Sequence, residues 1–324
     1  MVRDGPCLTR RTTLLVLASL AAAPLEATLL ERKARALRIG KGPLVTPASH
    51  PVLGSNINGP SLIRVPDWVD RPLGRYYLYF AAHEGRSIRL AYADQLEGPW
   101  TIHAPGVLKI DETPFPADLP GAHIASPDVQ IDHALKRITM YYHGLEARPN
   151  LQVTRAALSS DGLAFTARPA VLGLSYMRVF AFNGMVHALA KSGQFYRSSD
   201  PLGGFRMGPR LFSDRMRHAA VVVRGDTLKV AWTRIGDAPE RILLSTIDAS
   251  GPWESWREVD RTELLRPELP WEGARLPATP SQRGLIRQPA NQLRDPAFFE
   301  EQGRLYMAYA IAGESGLALA EITL

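Results

Sequence analysis

Short apolar segments of four to eight residues, separated by turns rich in glycine and proline, follow one another from about residue 36 to the end of the chain. Aromatic and β-branched residues dominate these segments, which are either alternating or fully apolar, as strands with one or two buried faces are. The spacing of three or four residues that marks an amphipathic helix is nearly absent. The pattern therefore predicts an all-β fold.

The apolar segments recur in a fixed order. Residues 75–80, residues 87–93 and the tripeptide Gly98-Pro99-Trp100 are matched far downstream by residues 227–232, residues 241–247 and the tripeptide Gly251-Pro252-Trp253. Three weaker copies lie at residues 137–157, 185–198 and 304–321. Every unit opens with one more short apolar run, at residues 61–65, 128–131, 178–182, 219–223 and 297–299. The sequence thus contains five similar units.

Five units predict a five-bladed β-propeller over residues 36–324. Each unit has roughly 58 residues, enough for a four-stranded blade with loops. The last unit has only three strands before Leu324, whereas one apolar segment, residues 36–45, precedes the first unit. We expect this N-terminal strand to close the fifth blade, which removes the exposed edges of an open array. The alternative, two packed β-sandwiches, fits five similar units poorly.

Composition narrows the possible chemistry. The 324 residues are 45% hydrophobic and 22% charged, as in a folded protein with a large core. The only cysteine, Cys7, lies near the N-terminus, so disulfides and cysteine-based zinc sites or nucleophiles are excluded from the rest of the chain. The net charge of +6 favours anionic partners, but no basic run indicates nucleic acid. Phosphate-binding, dinucleotide, zinc-protease and serine-hydrolase motifs are absent from the sequence, and we predict no cofactor.

The inner strand of each blade lines the central channel, so polar residues at the starts of these strands should converge at one mouth. Those residues are Asn58, Asp128, Arg178, His218 and Asp295, with His123, Arg217 and Arg294 beside them. Each alone could be a turn cap or a structural residue. Their repetition in different blades indicates a shared polar site. His83 and His143 occupy matching turns and are expected at the rim of this site. A metal ion bound by histidines is an alternative, but the sequence shows no ligand spacing that supports it.

Acidic residues at the site matter because a pair of carboxyl groups can serve as general acid and general base. Asp128 and Asp295 supply two at the channel. Glu272 lies in a loop between Trp271, an aromatic surface on which a ligand could stack, and a glycine that permits close backbone approach. Glu240 and Glu314 lie in other loops as further candidates. We expect Glu240 to bind substrate, although it could instead form an ion pair with its neighbour Arg241.

Two motifs resemble those of the five-bladed glycosidase superfamily that includes the arabinanase-type glycoside hydrolase family 43. Ser126-Pro127-Asp128-Val129 is similar to the family's Ala-Pro-Asp-Val motif, and Arg294-Asp295-Pro296 is similar to the Asp-Pro with which such blades often begin. The resemblance implies that Asp128 tunes a general acid. The family's general base and general acid are unmatched, because residues 56–61 and 175–178 contain no acid.

These observations predict a glycoside hydrolase that acts at the channel mouth on a carbohydrate. We assign Asp295 as general base, Glu272 as general acid and Asp128 as the residue that orients the acid. If the reaction is a single displacement, as the resemblance implies, the anomeric configuration is inverted. The alternative is a carbohydrate-binding propeller that has lost its acid-base pair. Arg178, Arg217 and Arg294 could hold an anionic sugar, or could instead neutralise Asp128 and Asp295.

The N-terminus predicts export. Arg10 and Arg11 directly precede an apolar stretch from Leu14 to Pro24, which is typical of a twin-arginine signal over residues 1–27 and too short for the ~20 residues of a membrane span. A Sec signal or an uncleaved anchor is the alternative. We expect a periplasmic or secreted protein, free of the membrane and cleaved between Ala23 and Thr28. Mass spectrometry of the mature protein tests this, and an intact Met1 terminus would contradict it.

Overall fold

The computed structural model describes residues 34–148 and 151–324, together with Met1. The signal segment inferred from the sequence lies outside the described residues. Residues 34–324 fold as one unit whose strands form five antiparallel sheets arranged as a five-bladed β-propeller, which confirms the predicted fold. No helix of the described residues is long and apolar enough to cross a membrane.

The strands follow the chain blade by blade. The first strand is β1 (Arg35–Arg38). Blade 1 contains β2 (Asn58–Arg64), β3 (Tyr76–Ala81), β4 (Ser87–Ala93) and β5 (Thr101–Lys109). Blade 2 contains β6 (Ile124–Asp132), β7 (Arg137–Leu145), β8 (Gln152–Ser159), β9 (Thr166–Ala167) and β10 (Gly173–Leu174). Blade 3 contains β11 (Arg178–Phe182), β12 (Met185–Ala190), β13 (Gln194–Ser198) and β14 (Arg206–Arg210).

The remaining strands build the last two blades. Blade 4 contains β15 (Met216–Arg224), β16 (Thr227–Arg234), β17 (Ile242–Asp248) and β18 (Arg257–Leu265). Blade 5 contains β19 (Arg294–Glu301), β20 (Arg304–Ala310) and β21 (Leu317–Thr323), with β1 as its outer strand. The helices of the described residues are single 3₁₀ turns, at Pro47–Ser49, Pro51–Leu53, Ile110–Glu112, Lys191–Gly193, Trp253–Ser255 and Pro270–Glu272.

The apolar core lies between neighbouring blades, and β3 shows why its sequence is continuously apolar. Tyr77 and Tyr79 pack into the cluster shared with blade 2, whereas Leu78 and Phe80 pack into the cluster shared with blade 5. Successive side chains of a strand point to opposite faces. Because both faces of a propeller blade are covered, every residue of β3 is buried.

The N-terminal strand closes the ring as expected from the sequence. β1 pairs antiparallel with β21, with Arg35 opposite Thr323 and Arg38 opposite Ala320. The Arg38 guanidinium donates to both carboxylate oxygens of Glu272, at 2.7 and 2.8 Å. Glu272 is fully buried and also accepts hydrogen bonds from the Tyr309 hydroxyl and from the backbone N–H groups of Glu268 and Leu269. One carboxylate thus joins β1, β20 and the segment that leaves blade 4.

We predict that Glu272→Ala lowers the free energy of unfolding by about 3 kcal/mol, because it leaves the buried part of Arg38 and the Tyr309 hydroxyl without their partner. The matched control is Glu300→Ala, since Glu300 pairs with Arg224 on the surface, and such exposed pairs contribute about 0–1 kcal/mol. Urea unfolding at neutral pH measures both. Equal effects of the two substitutions would contradict the role of Glu272 in ring closure.

Candidate active site

The inner strands of four blades begin with the same irregularity. In blades 1, 2, 4 and 5, the inner strand advances by three residues where its partner strand advances by two. On the inner strands, this shift lies between Asn58 and Ser61, between Ala125 and Asp128, between Met216 and Ala219, and between Arg294 and Ala297. Such a β-bulge re-aims the side chains of the bulged strand. Gly59, Ser126 and Asp295 take up left-handed backbone conformations there, with φ of 59°, 49° and 51°. Left-handed non-glycine residues are uncommon and concentrate at functional sites.

The bulge decides which residues are equivalent. Asp295 corresponds to Gly59 of blade 1 and to Ser126 of blade 2, whereas Asp128 corresponds to Ser61 and Ala297. Asp128 is therefore two residues farther along its strand than Asp295. It lines a cavity at the opposite end of the channel, where it accepts a 2.7 Å hydrogen bond from the backbone N–H of Val179. The expectation that Asp128 and Asp295 share one mouth is wrong.

A cavity of about 420 Å³ occupies the mouth at the starts of the inner strands. We call it the mouth cavity. All five blades and the linker before blade 5 contribute to its wall, with polar side chains from His83, His123, Gln152, Tyr176, Lys191, Arg217, His218, Arg283, Asp295 and Glu314. Its volume is in the range of small-molecule sites.

Asp295 and His218 form a carboxylate–histidine pair in this cavity. Oδ1 of Asp295 contacts Nδ1 of His218, and Oδ2 accepts a hydrogen bond from the backbone N–H of Gly59 at 3.3 Å. Burial alone would raise the pKa of Asp295, but the charge and hydrogen bond of His218, together with Arg294 and Arg217, hold that pKa well below its ordinary value. Asp295 is therefore ionised at neutral pH. In a neutral imidazole, a proton on Nδ1 would face the carboxylate and leave Nε2 as the acceptor.

Glu314 forms a second pair with His83. Oε2 of Glu314 lies 3.5 Å from Nδ1 of His83 and accepts hydrogen bonds from the amides of Asn56, at 2.6 Å, and Asn58, at 3.2 Å. Oε1 accepts from Arg294 at 2.8 Å. Burial raises the pKa of Glu314, but His83 and Arg294 outweigh burial and the charge of Asp295, so the pKa lies below its ordinary value. Glu314 is thus a carboxylate too.

A buried ion network supports the two pairs from behind the cavity wall. Arg294 is 1% exposed; its Nε is 3.3 Å from Oε2 of Glu240, and its guanidinium also donates to the Gln292 side chain. Oε1 of Glu240 accepts from Arg217 at 2.9 Å and from the Thr233 hydroxyl at 2.7 Å. Arg294 and Glu240 therefore orient Glu314 and Arg217 and do not line the cavity, which corrects their assignment as substrate-binding residues.

Aromatic rings form the floor of the mouth cavity. The ring centroids of His123 and His143 are 5.7 Å apart, those of His143 and Tyr176 are 4.3 Å apart, and those of Tyr176 and His218 are 4.1 Å apart. Burial and the neighbouring histidines lower the pKa of His143 far below its ordinary value, so its imidazole is neutral. Within the described part of the chain, no three histidine, cysteine or acidic side chains are arranged to hold a metal ion.

Other residues expected at the site lie elsewhere. Arg178 spans the channel and donates to the carbonyl oxygens of Ala219, at 2.9 Å, and Pro127, at 2.7 Å, so it is not free for a substrate. Glu272 is held by Arg38 and Tyr309, and Trp271 packs on the core between blades 4 and 5. Neither lines the mouth cavity, so the assignment of Glu272 as a general acid in this pocket is wrong. His123, Arg217, His218 and Asp295 do line it, and Asn58 lines its inner recess.

The structure also adds residues to the site that sequence reasoning missed, namely Tyr176, Lys191, Gln152 and Arg283. A positional signal existed for one of them. Lys191 lies in the turn between the second and third strands of its blade, as do His83 in blade 1 and Glu314 in blade 5. All three turns reach the same mouth.

Several solved structures that share this fold belong to glycoside hydrolase families 43 and 130. The structure matches a family 43 β-xylosidase/α-arabinofuranosidase from a compost microbial metagenome, crystallised with xylotriose, with a TM-score of 0.57 and 13% identity over 89% of this chain and 94% of that one. A structure from family 130, described as containing mannoside phosphorylases and hydrolases of β-1,2 mannosidic linkages in Candida mannan, matches with a TM-score of 0.62 and 12% identity over 88% of this chain and 93% of that one. A family 43 enzyme from Xanthomonas citri, in complex with xylose, matches with a TM-score of 0.55 and 12% identity over 87% of this chain and 89% of that one. The chain therefore has the five-bladed propeller fold of these glycosidases.

A curated relative identifies the family. Uncharacterized protein R118 of Acanthamoeba polyphaga mimivirus is 37% identical over 297 residues, which span 82% of this chain and 83% of the relative. The chain belongs to the family of R118. No protein-family model matches the chain.

Proposed function

We propose that this protein is a glycoside hydrolase whose active site is the mouth cavity. The observation that carries the proposal is the presence of two carboxylate–histidine pairs, Asp295 with His218 and Glu314 with His83, in the wall of one cavity. Hydrolysis of a glycosidic bond requires a group that protonates the leaving oxygen and a group that activates water. Two carboxylate–histidine pairs in one cavity supply one candidate group for each of these functions.

His218 acts as the general base and Asp295 as its positioning residue. Both oxygens of Asp295 are occupied, by the imidazole and by the Gly59 N–H group, and the side chain is almost fully buried. The carboxylate fixes the imidazole orientation and stabilises the imidazolium that forms when water gives up a proton, as in other carboxylate–histidine pairs. This assignment replaces direct proton abstraction by Asp295.

The pair of His83 and Glu314 supplies the proton to the leaving oxygen. Because the pKa of Glu314 lies below its ordinary value, Glu314 is not the proton donor of the pair, and the imidazole of His83, whose Nδ1 faces the carboxylate, is assigned that function. His83 is also more accessible from the cavity than Glu314, with 23% of its side chain exposed against 3%. His83, oriented by Glu314, therefore replaces Glu272 as the proposed general acid.

A carbohydrate-binding protein without hydrolytic activity is the second candidate. The observation that favours it is that both carboxylates in the cavity are ionised and already hydrogen-bonded, so neither is a protonated carboxyl of the kind that ordinarily serves as general acid. Binding of saccharides without turnover would support this candidate.

The decisive experiment is a screen of the purified protein on aryl glycosides and on plant and bacterial polysaccharides, followed by variants on the first substrate found. We predict that His218→Ala, Asp295→Asn and His83→Ala each lower the turnover rate by about 10²- to 10⁴-fold, the usual contribution of a general acid or base. Asn at position 295 donates an N–H group to Nδ1, which forces the proton onto Nε2 and blocks its function as base.

The control is Asp226→Asn, which changes an exposed acid in the turn between β15 and β16 and should leave turnover unchanged. Circular dichroism and thermal unfolding verify that each variant is folded. Folded His218 and His83 variants with normal turnover would refute the assignment of the active site to the mouth cavity.

A further inference from the structure

Two cationic side chains of the mouth cavity have no acidic partner within the cavity. Lys191 and Arg283 both line it, from the turn after β12 and from the linker before blade 5. Among the described residues, no carboxylate lies within salt-bridge distance of Lys191. Arg283 donates to the backbone oxygen of Asp214 at 3.0 Å and lies 3.7 Å from the carboxylate of Asp214, outside the cavity lining.

The two cavity carboxylates do not compensate these charges. Asp295 is taken up by His218 and the Gly59 N–H group, and Glu314 by Arg294 and two asparagine amides. Arg217, the third cation of the lining, is paired with Glu240 and also donates to the backbone oxygen of Gln282. Among the described residues, Lys191 therefore keeps its charge available for a ligand, and Arg283 presents to the cavity a guanidinium whose acidic partner, Asp214, lies outside the lining.

The electrostatic state of Lys191 agrees with that geometry. Burial lowers its pKa below the ordinary value, and the positive charge of Arg283 lowers it further. Asp214 compensates the charge of Arg283 only from outside the cavity lining, and among the described residues no carboxylate lies within salt-bridge distance of Lys191. A bound anion would offset the repulsion between the two cations, so the arrangement favours binding of negative charge.

The turn that carries Lys191 is rigidly positioned. The backbone N–H of Lys191 donates to the carbonyl oxygen of Ser175 at 2.9 Å. Ser192 and Gly193 both have left-handed conformations, with φ of 60° and 73°, and a Cβ atom at position 193 would collide with Phe212. The side chain is thus presented from a turn that has little freedom, as preorganised binding groups are.

We infer that Lys191 and Arg283 bind an anionic substituent of the saccharide, a carboxylate, sulfate or phosphate, and so select acidic sugars. This rests on the proposed function, because it assigns the substrate class of the same cavity. This anion site differs from the one expected from the sequence, which consisted of Arg178, Arg217 and Arg294. Arg178 and Arg294 are hydrogen-bonded to protein groups, and Arg217 is paired with Glu240.

The test is direct binding of monosaccharides to the purified protein, by ligand-observed NMR and calorimetry at low and moderate salt. The probes are D-glucuronate, D-galacturonate, glucose 6-sulfate and glucose 6-phosphate, with glucose and galactose as neutral references. We expect at least one anionic probe to bind about tenfold or more tightly than its neutral reference, and added salt to weaken that preference. The pattern among the four anions distinguishes a carboxylate from a sulfate or phosphate ligand.

Lys191→Met and Arg283→Met should each reduce the preference for the anion by about tenfold, whereas Lys136→Met and Arg206→Met, at exposed positions, should not. Equal affinity for neutral and anionic probes, or an anion preference unchanged in both cavity variants, would overturn the inference. Because binding does not depend on turnover, a protein with this preference but no hydrolysis would refute only the hydrolase proposal.

Discussion

Five inner strands converge on one narrow channel, and every polar backbone group that they bury there needs a partner. The bulges at the strand starts free carbonyl oxygens from the ladder, and Arg178 of blade 3 takes up those of Pro60, Pro127 and Ala219, from blades 1, 2 and 4. Asp128 lies 3.7 Å from the same guanidinium and also accepts the Val179 N–H group. Asp128 lines the cavity at the opposite end, and Arg178 lines neither that cavity nor the mouth cavity. The two side chains therefore lie beneath the aromatic floor of the mouth cavity and join the inner strands of blades 1 to 4.

The position of the carboxylates follows from the near equivalence of the blades. The family 43 resemblance places a general base at the start of blade 1, where residues 56–61 of this chain contain no acid. The bulge position of blade 5 that is equivalent to Gly59 carries Asp295 instead. The backbone N–H of Gly59 donates to that same carboxylate, so the neighbouring bulges of blades 5 and 1 build the site together. A ring of similar blades allows an acid to occupy another blade and still face the same mouth, because all inner strands start at one rim.

The blades and the closing strand were predictable from the sequence, since strands such as β3 are buried on both faces and leave long apolar runs. The site was predictable only in part. Asp295, His218 and Arg217 were found because they start inner strands, whereas Asp128 follows the bulge of its strand and lines the opposite cavity. Glu272 had the sequence surroundings of a ligand-binding acid, yet its partner Arg38 is 234 residues away. Pairings over such separations are set by ring closure, which local sequence does not reveal.

The proposed function requires that a saccharide binds in the mouth cavity between the two carboxylate–histidine pairs. The decisive measurement is a crystal structure of the Asp295→Asn variant grown with the best-bound saccharide, because slow turnover preserves the ligand. We expect a sugar in the mouth cavity, with a glycosidic oxygen within about 3 Å of His83 and a water between Nε2 of His218 and the anomeric carbon. A saccharide bound in the opposite cavity, or on the outer face of the blades, would contradict it.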